Sequence, residues 1–500
     1  MVPPEDRNFE RRFRQREDEL RWLYMELYRE NRQAYDYFVS VLQKRFFQRP
    51  QRLKRKDVEK MGKGFPRFFA PGMEAGKEMP NLSDDQLRLL SQSGIRFLLV
   101  DPPSGEKEKR LAPFVKACEN RGLMPGLRLD MSAADDQSEW AIRAKKGEKD
   151  FQHRFFFFDS WEEARAYDRK ARDGSRDCFS WSKEIGKVVM CSSSPSRWDL
   201  NYYNPAVFND RVDQLLALCN QGAELVELGS LSRLWKAPGA DCKNLPQSYA
   251  LNRLIRLSVD IVCPGVTLLG DAEGDEQALL SYLGPWDKPG CHGLTYRGVM
   301  DAFLHTMATG DERLLKNSLD FFLSLGKNGA VWLNLNKPHP GDWRLDFDFL
   351  RSLGKDQGAH TYYLDEYFSA SDRLARGMAA GWAFALTLGG APLWPDMDEL
   401  KSWGLSDAAL RLNEARNRSA AFHPQADTWL IDTGNDQILG LGRYRDGEQL
   451  LALFNFSHDN QLVYLLDPRE YEDLYEKKPT DCGVVMLPPH GFQWLLHRFS

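Results

Sequence analysis

The chain has 500 residues, of which 42% are apolar and 28% charged, and its formal net charge is −5. A chain of this length is too long for one small hydrophobic core. It suits a barrel of about 250 to 350 residues with smaller domains attached. A net charge this close to zero argues against general binding to nucleic acid or to an acidic membrane surface. The eight cysteines contain no Cys-x-x-Cys pair and the N-terminus has no apolar signal region. We therefore expect a cytoplasmic protein without disulfides, metal or cofactor.

The first domain, residues 1–61, is predicted to be helical. Apolar residues recur there at helical spacing, as at Leu20, Leu23 and Leu27, without a strand signal. Between Asp36 and Asp57 the charged residues are all basic: Lys44, Arg45, Arg49, Arg52, Lys54, Arg55 and Lys56. A solvated helix face or a docking edge explains such a run without nucleic acid, so the partner expected at these helices is a protein.

Residues 62–423 alternate short apolar strands with helices. Ser83 and Gln86 form a predicted capping box before a helix, and a strand at 96–100 follows. Further strands are predicted at 126–130, 224–228, 265–269 and 331–335. Repeated βα units of this kind form a parallel sheet, either open or closed into a barrel.

Two segments depart from that pattern. Residues 131–196 form an aromatic and charged insertion with the run Arg154-Phe-Phe-Phe-Phe158, and they are predicted to be a loop-like subdomain. Residues 424–500 are predicted to be a small antiparallel β-sandwich with a hairpin turn at Asp446-Gly447. Its strands are expected at 428–431, 438–442, 450–456, 463–466, 484–487 and 492–496.

The most informative stretch runs from Arg197 to Lys236. It contains a loop, a helix that ends at Gly222, and an apolar strand from Glu224 to Leu228, which Gly229 follows directly. In parallel α/β folds the chemistry lies where such strands end, because the strand fixes its last side chains while the next loop varies. Gly229 has no side chain to contribute there.

The opening Trp198-Asp-Leu-Asn-Tyr-x-Asn-Pro205 and the closing Leu234-Trp-Lys236 of this stretch resemble the amylosucrases, sucrose-using members of family 13 of the glycoside hydrolases. Other segments fit the same family in the same order, among them Cys242-Lys-Asn-Leu-Pro-Gln-Ser-Tyr-Ala-Leu-Asn-Arg253, Met307-Ala-Thr-Gly-Asp-Glu-Arg313 and Leu453-Phe-Asn-Phe-Ser457. The resemblance implies an α/β fold class: a (β/α)8 TIM barrel with an N-terminal helical domain, a B-type insertion and a C-terminal antiparallel β-sandwich.

The same resemblance implies that the catalytic machinery of the family is incomplete. The position of the nucleophilic aspartate is Gly229, that of the orienting arginine is Glu227, and that of the third carboxylate is Pro340. The acid/base glutamate falls on Asp271 or, after a slip in the alignment, on Glu273. Retaining glycosidases need both a nucleophile and an acid, because the reaction passes through a covalent glycosyl-enzyme. We therefore expect an inactive relative that binds a saccharide of the sucrose or α-glucan type, or a protein partner.

An active glycosidase or glucosyltransferase with a rebuilt site is the alternative. Glu227 and Asp271 are its candidate catalytic residues, and His339, Arg128 and Trp198 are its candidate substrate-binding residues. Against this alternative, Glu227 is also placed to form an internal ion pair with Arg128 of the third strand. Trp198 is expected either to stack on a sugar face or to pack in the core.

Overall fold

The structure is a computed structural model, and it describes residues 9–63, 72–75, 82–102, 111–167, 178–285, 287–296, 298–326, 331–335, 371–394, 397–402, 406–423, 426–465, 469–480 and 483–499. The fold class is α/β: a (β/α)8 barrel with N-terminal helices and C-terminal antiparallel sheets. The chain divides into two compact units. The first consists of Met1–Phe65, Asp101–Val115 and Pro125–Leu294, and the second of Pro66–Val100, Lys116–Met124 and Thr295–Ser500.

The helices are α1 (Phe9–Arg14), α2 (Glu17–Leu27), α3 (Arg32–Gln48), α4 (Gln51–Lys63), α5 (Asp84–Gln92), α6 (Leu111–Asn120), α7 (Glu139–Lys145), α8 (Lys149–Gln152), α9 (Trp161–Arg165), α10 (Pro205–Gln221), α11 (Pro246–Val262), α12 (Glu276–Leu283), α13 (Gly298–Thr309), α14 (Arg313–Gly326), α15 (Ser371–Thr387), α16 (Met397–Ser402) and α17 (Ser406–Asn417). The strands are β1 (Gly72–Glu74), β2 (Phe97–Val100), β3 (Met124–Asp130), β4 (Ala133–Asp135), β5 (Phe157–Phe158), β6 (Phe179–Ser182), β7 (Lys187–Met190), β8 (Arg197–Asp199), β9 (Leu225–Gly229), β10 (Thr267–Asp271), β11 (Gly293–Tyr296), β12 (Val331–Leu335), β13 (Ala391–Trp394), β14 (Asp427–Ile431), β15 (Ile438–Arg445), β16 (Glu448–Asn455), β17 (Gln461–Tyr464), β18 (Tyr471–Asp473), β19 (Lys478–Thr480), β20 (Val484–Leu487) and β21 (Phe492–Arg498).

The predicted N-terminal helices are present and pack against a barrel helix of the first unit. Asn31 begins α3 by accepting a hydrogen bond from the amide of Ala34 at 3.0 Å. The rings of Tyr24 and Phe38 are fully buried and stack with their centroids 5.1 Å apart. The hydroxyl of Tyr24 donates to the side chain of Asn209 in α10 at 2.9 Å, so its polar end is satisfied inside this interface.

In the first unit β9 pairs in parallel with both β3 and β10. The register places Arg128 opposite Glu227, and Asp130 opposite Gly229. All five residues of β9 are buried, as is typical of a barrel strand covered on both sides. Side chains two apart on a strand point to the same side, so those of Arg128, Asp130 and Glu227 share one face of the sheet. Asp130 and Gly229 are the last residues of their strands.

Strand β10 begins two residues later than predicted, at Thr267 rather than at residue 265. Gly265 lies against α4, where its amide donates to the carboxylate of Asp57 at 3.1 Å. A Cβ at Gly265 would come within 2.8 Å of the Asp57 Cα, so glycine permits this approach. The consequence is that Asp271 occupies the last position of β10 instead of following it.

The insertion is more regular than the predicted loop-like subdomain. Strands β5, β7 and β6 form an antiparallel sheet, and β4 pairs with β8. The sheet has its own core, in which Phe156 and Phe158 pack with Phe179 and Val188. The prediction was wrong because these short strands are stabilised by packing within the insertion. A strand of two to four residues is too short to show a pattern of alternating apolar residues in the sequence.

The second unit contains further barrel strands and the C-terminal sheets. Strand β1 pairs in parallel with β2 and β13, and β12 pairs with β13. The C-terminal sheet has the order β14-β15-β16-β21-β18-β19, and β17 pairs with β20. Asp446 and Gly447 have φ values of 49° and 80°, which confirms the predicted hairpin turn. No helix in the described ranges is long and apolar enough to span a membrane.

Candidate functional site at the carboxyl ends of the barrel strands

The candidate site consists of side chains at the carboxyl ends of β3, β9 and β10. Glu227 is 2% exposed, and its Oε2 accepts a hydrogen bond from the Nε of Arg128 at 2.5 Å. The guanidinium of Arg128 is 32% exposed, and its Nη1 lies 3.9 Å from Oδ1 of Asp101. The internal ion pair expected for Glu227 is therefore present. The guanidinium compensates in part for the hydration that a buried carboxylate loses.

Gly229 leaves little room for a side chain. A Cβ built on it would lie 3.3 Å from the Cα of Asp130 and 3.7 Å from the carbonyl oxygen of Leu129. Both neighbours are backbone atoms of β3, so the strand itself would have to shift by a few tenths of an ångström to admit a larger residue. The position that the resemblance assigns to the nucleophile of the amylosucrases therefore admits a side chain only if β3 gives way slightly.

Asp130 is a carboxylate that sequence reasoning missed. It lies opposite Gly229 in the sheet, and its Oδ2 accepts from Nη2 of Arg197 at 2.6 Å. Its Oδ1 accepts from the amide and the hydroxyl of Ser132, at 2.9 and 3.1 Å. The signal was available, because Asp130 follows Arg128 by two residues at the end of a strand and must point to the same side.

Glu273 is unsuited to the acid role that the alignment left open. Its carboxylate lies 3.1 Å from Nη2 of Arg233 and 2.8 Å from Nζ of Lys243. Burial favours the neutral form, but the two cations outweigh it and lower the pKa of Glu273 to about 2. A general acid must carry a proton at the working pH, which so low a pKa prevents for Glu273. Asp271 is the last residue of β10 and remains the candidate by position.

Asp199 and Lys236, which lie near the two ends of the stretch from Arg197 to Lys236, join the insertion to the loop after β9. Nζ of Lys236 lies 3.4 Å from Oδ2 of Asp199, and both side chains are almost completely buried. Asp199 also accepts from the amide and hydroxyl of Ser192, at 3.1 and 2.6 Å. Lys236 donates to the carbonyl oxygen of Arg233 at 2.6 Å. These residues therefore bind two chain segments to each other.

Trp198 packs inside the insertion. It is 3% exposed, and its ring meets those of Phe155 and Phe157 edge to face, with centroids 5.4 Å apart in each case. Nζ of Lys145 lies 5.1 Å from its centroid. As placed, the indole presents no open face to a sugar.

His339 and Pro340, the other two predicted site positions, lie outside the described residues. Within the described ranges, no group of three or more His, Cys, Asp or Glu side chains is arranged to hold a metal ion. The described part of the site is therefore a set of carboxylates and cations: Asp101, Arg128, Asp130, Arg197, Glu227 and Asp271.

Comparison with known proteins agrees with this fold. The glucosylglycerate phosphorylase of Allomeiothermus silvanus is 32% identical over 126 residues, which are 25% of this chain and 22% of that protein. The trehalose synthase/amylase of Mycolicibacterium smegmatis is 28% identical over 231 residues, 43% of this chain and 36% of that protein. The aligned segments thus span about a third or less of these relatives. No family model matches the chain.

Among solved structures, the trehalulose synthase of Pseudomonas mesoacidophila MX-45 superposes with a TM-score of 0.63 at 12% identity. The superposition covers 86% of this chain and 99% of that one. The fold and the solved structure place the chain in the class of (β/α)8 barrel proteins. Within that class the chain is a relative of the glycoside hydrolases of family 13, the α-amylase family.

Proposed function

We propose that the chain is a non-catalytic, amylosucrase-like relative of this family that binds a saccharide of the sucrose or α-glucan type at the carboxyl ends of its barrel strands. The observation that carries the proposal is Gly229. It occupies the nucleophile position, and the backbone of Asp130 lies 3.3 Å from where its Cβ would be. A retaining mechanism without a nucleophile cannot form its covalent intermediate.

The state of the remaining carboxylates supports the same proposal. Glu227 is buried against Arg128, and Asp130 is held by Arg197. A nucleophile must approach the anomeric carbon closely. A carboxylate that a guanidinium binds at about 2.5 Å would have to give up this ion pair to do so. Removing a group that acts through a covalent step costs several orders of magnitude in rate.

Saccharide binding draws support from the exposed guanidiniums. Arg128 and Arg197 are each about one-third exposed, at 32% and 33%. Exposed guanidinium groups suit hydroxyl and ring oxygens of a sugar. The relatives are a glucosylglycerate phosphorylase and a trehalose synthase/amylase, which agrees with a saccharide ligand.

The test combines a turnover assay with a binding assay. We expect no release of glucose or fructose from sucrose, trehalose or maltooligosaccharides above the level of a Glu227→Ala, Asp271→Ala double variant. We expect calorimetric titration to detect binding of at least one of these sugars, and Arg128→Gln to weaken it by about tenfold. Turnover that exceeds the double variant would contradict the proposal, and so would the absence of any sugar binding.

An active enzyme with a rebuilt site is the second candidate, and Asp130 favours it. This carboxylate lies opposite Gly229 and is 26% exposed, so a substrate that displaced Arg197 would meet it. This candidate requires that Asp130→Ala or Asp271→Ala abolish a measurable glycosidase or glucosyltransferase activity. Retention of that activity in both variants would remove it.

Exposed aromatic side chains support a protein partner, and the state of the cysteines supports a cytoplasmic setting. Trp22, Tyr37 and Phe47 of the N-terminal helices expose 63%, 53% and 66% of their surface, which suits contact with another protein. The cysteines among the described residues are thiols outside any disulfide, and most of them are buried, as in a reducing compartment.

A further inference from the structure

A concave surface on the N-terminal helices combines enclosure with positive charge. It is a cavity of about 560 Å³, here named the α4 cavity, which is lined by Arg12, Phe46, Gln51, Lys54, Arg55, Val58 and Glu59. The lining includes three cationic side chains and one carboxylate. A cavity of this size falls in the range of about 300 to 1,000 Å³ that small-molecule sites occupy.

The arrangement follows from the phase of one helix. Five lining residues belong to α4, and they are spaced so that Gln51, Lys54 and Arg55 share a face with Val58 and Glu59. The cavity also borders the first turn of α4, where the helix dipole adds partial positive charge. The helix therefore places two members of the basic run, Lys54 and Arg55, along this partly open cavity.

Two of the cations flank the same aromatic ring. The Nζ of Lys54 lies 4.7 Å from the ring centroid of Phe46, and the guanidinium carbon of Arg12 lies 5.7 Å from it. Burial, and then the charges of Arg12 and Arg49, lower the pKa of Lys54, and Asp57 opposes this effect. The carboxylate of Asp57 already binds Arg49 through contacts of 2.6 and 2.7 Å.

Cations that gather in a partly enclosed site repel one another, and an anion between them removes that repulsion. Ammonium and guanidinium groups suit phosphate oxygens, which accept several charge-assisted hydrogen bonds at once. The ring of Phe46 and the side chain of Val58 supply an apolar wall for the rest of a ligand.

We propose that the α4 cavity binds a small phosphate-bearing molecule of the size of a sugar phosphate. This site uses Arg12, Lys54 and Arg55, and none of these residues belongs to the saccharide site at the strand ends. It is therefore independent of the function proposed above.

The experiment is calorimetric titration of the full chain at fixed ionic strength with glucose 6-phosphate, inorganic pyrophosphate and, as the matched neutral ligand, glucose. We expect both phosphate compounds to bind to a site that glucose does not occupy, so that glucose does not compete. Lys54→Gln and Arg55→Gln should each weaken phosphate binding by about tenfold or more, because a charge-assisted contact is lost. Lys44→Gln is the matched control, since this α3 lysine is 53% exposed and does not line the cavity.

Equal weakening by all three substitutions would indicate a diffuse ionic effect and overturn the proposal. Absence of phosphate binding by the wild-type chain up to millimolar concentration would also overturn it. Tighter binding of a short DNA oligonucleotide than of either phosphate compound would assign the charge to nucleic acid instead. Thermal unfolding of each variant without ligand checks folding, and Arg55→Gln, at an exposed position, keeps the test valid if Lys54→Gln unfolds.

Discussion

The two ends of strand β9 carry the same kind of charge arrangement, although only one of them is the reactive end in the family. Just before the strand, Glu224 lies 2.9 Å from Lys56 and 2.7 Å from Lys60. Near its end, Glu227 lies 2.5 Å from Arg128. In (β/α)8 enzymes the carboxyl ends of the strands carry the chemistry and the amino ends carry stability. Here Glu224 and Glu227 are both paired with cations, so an ion pair lies toward each end of β9.

The two ends of β9 differ in how exposed the paired side chains are. At the carboxyl end the carboxylate of Glu227 is 2% exposed while its partner Arg128 is 32% exposed. At the amino end Glu224 and Lys60 are both 15% exposed. In the pair at the carboxyl end the donor is thus accessible and the acceptor is hidden, which suits binding of a polyol and leaves Glu227 unsuited to nucleophilic attack.

The largest expected effect comes from removing the cation at the carboxyl end. Arg128→Ala leaves the buried carboxylate of Glu227 without its strand-pair partner, and we expect the free energy of unfolding to fall by about 2 to 4 kcal/mol. Urea unfolding measures this. The double variant Arg128→Met, Glu227→Leu should recover most of the loss, because it removes both charges. A single-variant loss below about 1 kcal/mol would contradict this expectation, because Glu227 would then not depend on Arg128.

The next largest effect is steric. Gly229→Ala places a methyl group 3.3 Å from the backbone of Asp130, and we expect it to cost about 1 to 2 kcal/mol. Gly381→Ala is a suitable control, because its nearest atoms lie at 3.9 and 4.0 Å. If Gly229→Ala left the melting temperature unchanged, β3 would be able to shift at no cost. The nucleophile position would then admit a side chain, against this expectation.

At the amino end the charges are redundant, so we expect a smaller effect. Lys60→Met leaves Glu224 with Lys56, and the loss should be about 0.5 to 1 kcal/mol. The pKa of Glu224 is lowered because the two lysines outweigh its burial. Its stabilisation is therefore present at neutral pH and disappears as the pH falls through the lowered pKa. A loss as large as that of Arg128→Ala would remove the contrast between the two ends.

The smallest effect concerns Glu273. Its pKa of about 2 lies below the ordinary value of 4.5, so its contribution to stability is complete above pH 4.5 and is lost as the pH falls toward 2. Its side chain is 48% exposed, so solvent screening limits this contribution to about 1 kcal/mol or less. The melting temperatures of the wild type and Glu273→Gln should differ near neutral pH and converge near pH 2. A constant difference over this range would assign the effect to packing.

The order of the domains and most strands could be predicted because apolar periods and turn residues are local signals. The turn at Asp446-Gly447 is an example, since positive φ values at two successive residues restrict the residue types. Strands β18 and β19 were not predicted, because Tyr-Glu-Asp and Lys-Pro-Thr have no apolar alternation and depend on their neighbours in the sheet. The start of β10 was missed because a contact between Gly265 and Asp57, distant in sequence, determines it.

The site was predictable where strand alternation determines direction. Arg128 and Glu227 were named together from their strand positions, and they form the ion pair. Asp130 was not predicted as a site residue, although the same alternation applies to it. The family pattern places its functional positions at residues that follow Asp130 in the chain. The packing of Trp198 could not be predicted, because the rings that enclose it come from a segment more than forty residues earlier.

The most direct test of the central claim uses α-glucosyl fluoride, whose leaving group departs without an acid catalyst. A chain that retained any nucleophile would release fluoride from it even if Asp271 were ineffective. We predict that fluoride release by the wild-type chain equals that of a triple variant with Asp130, Glu227 and Asp271 each changed to alanine. Release well above that of the triple variant would contradict the account and assign catalysis to one of these three carboxylates.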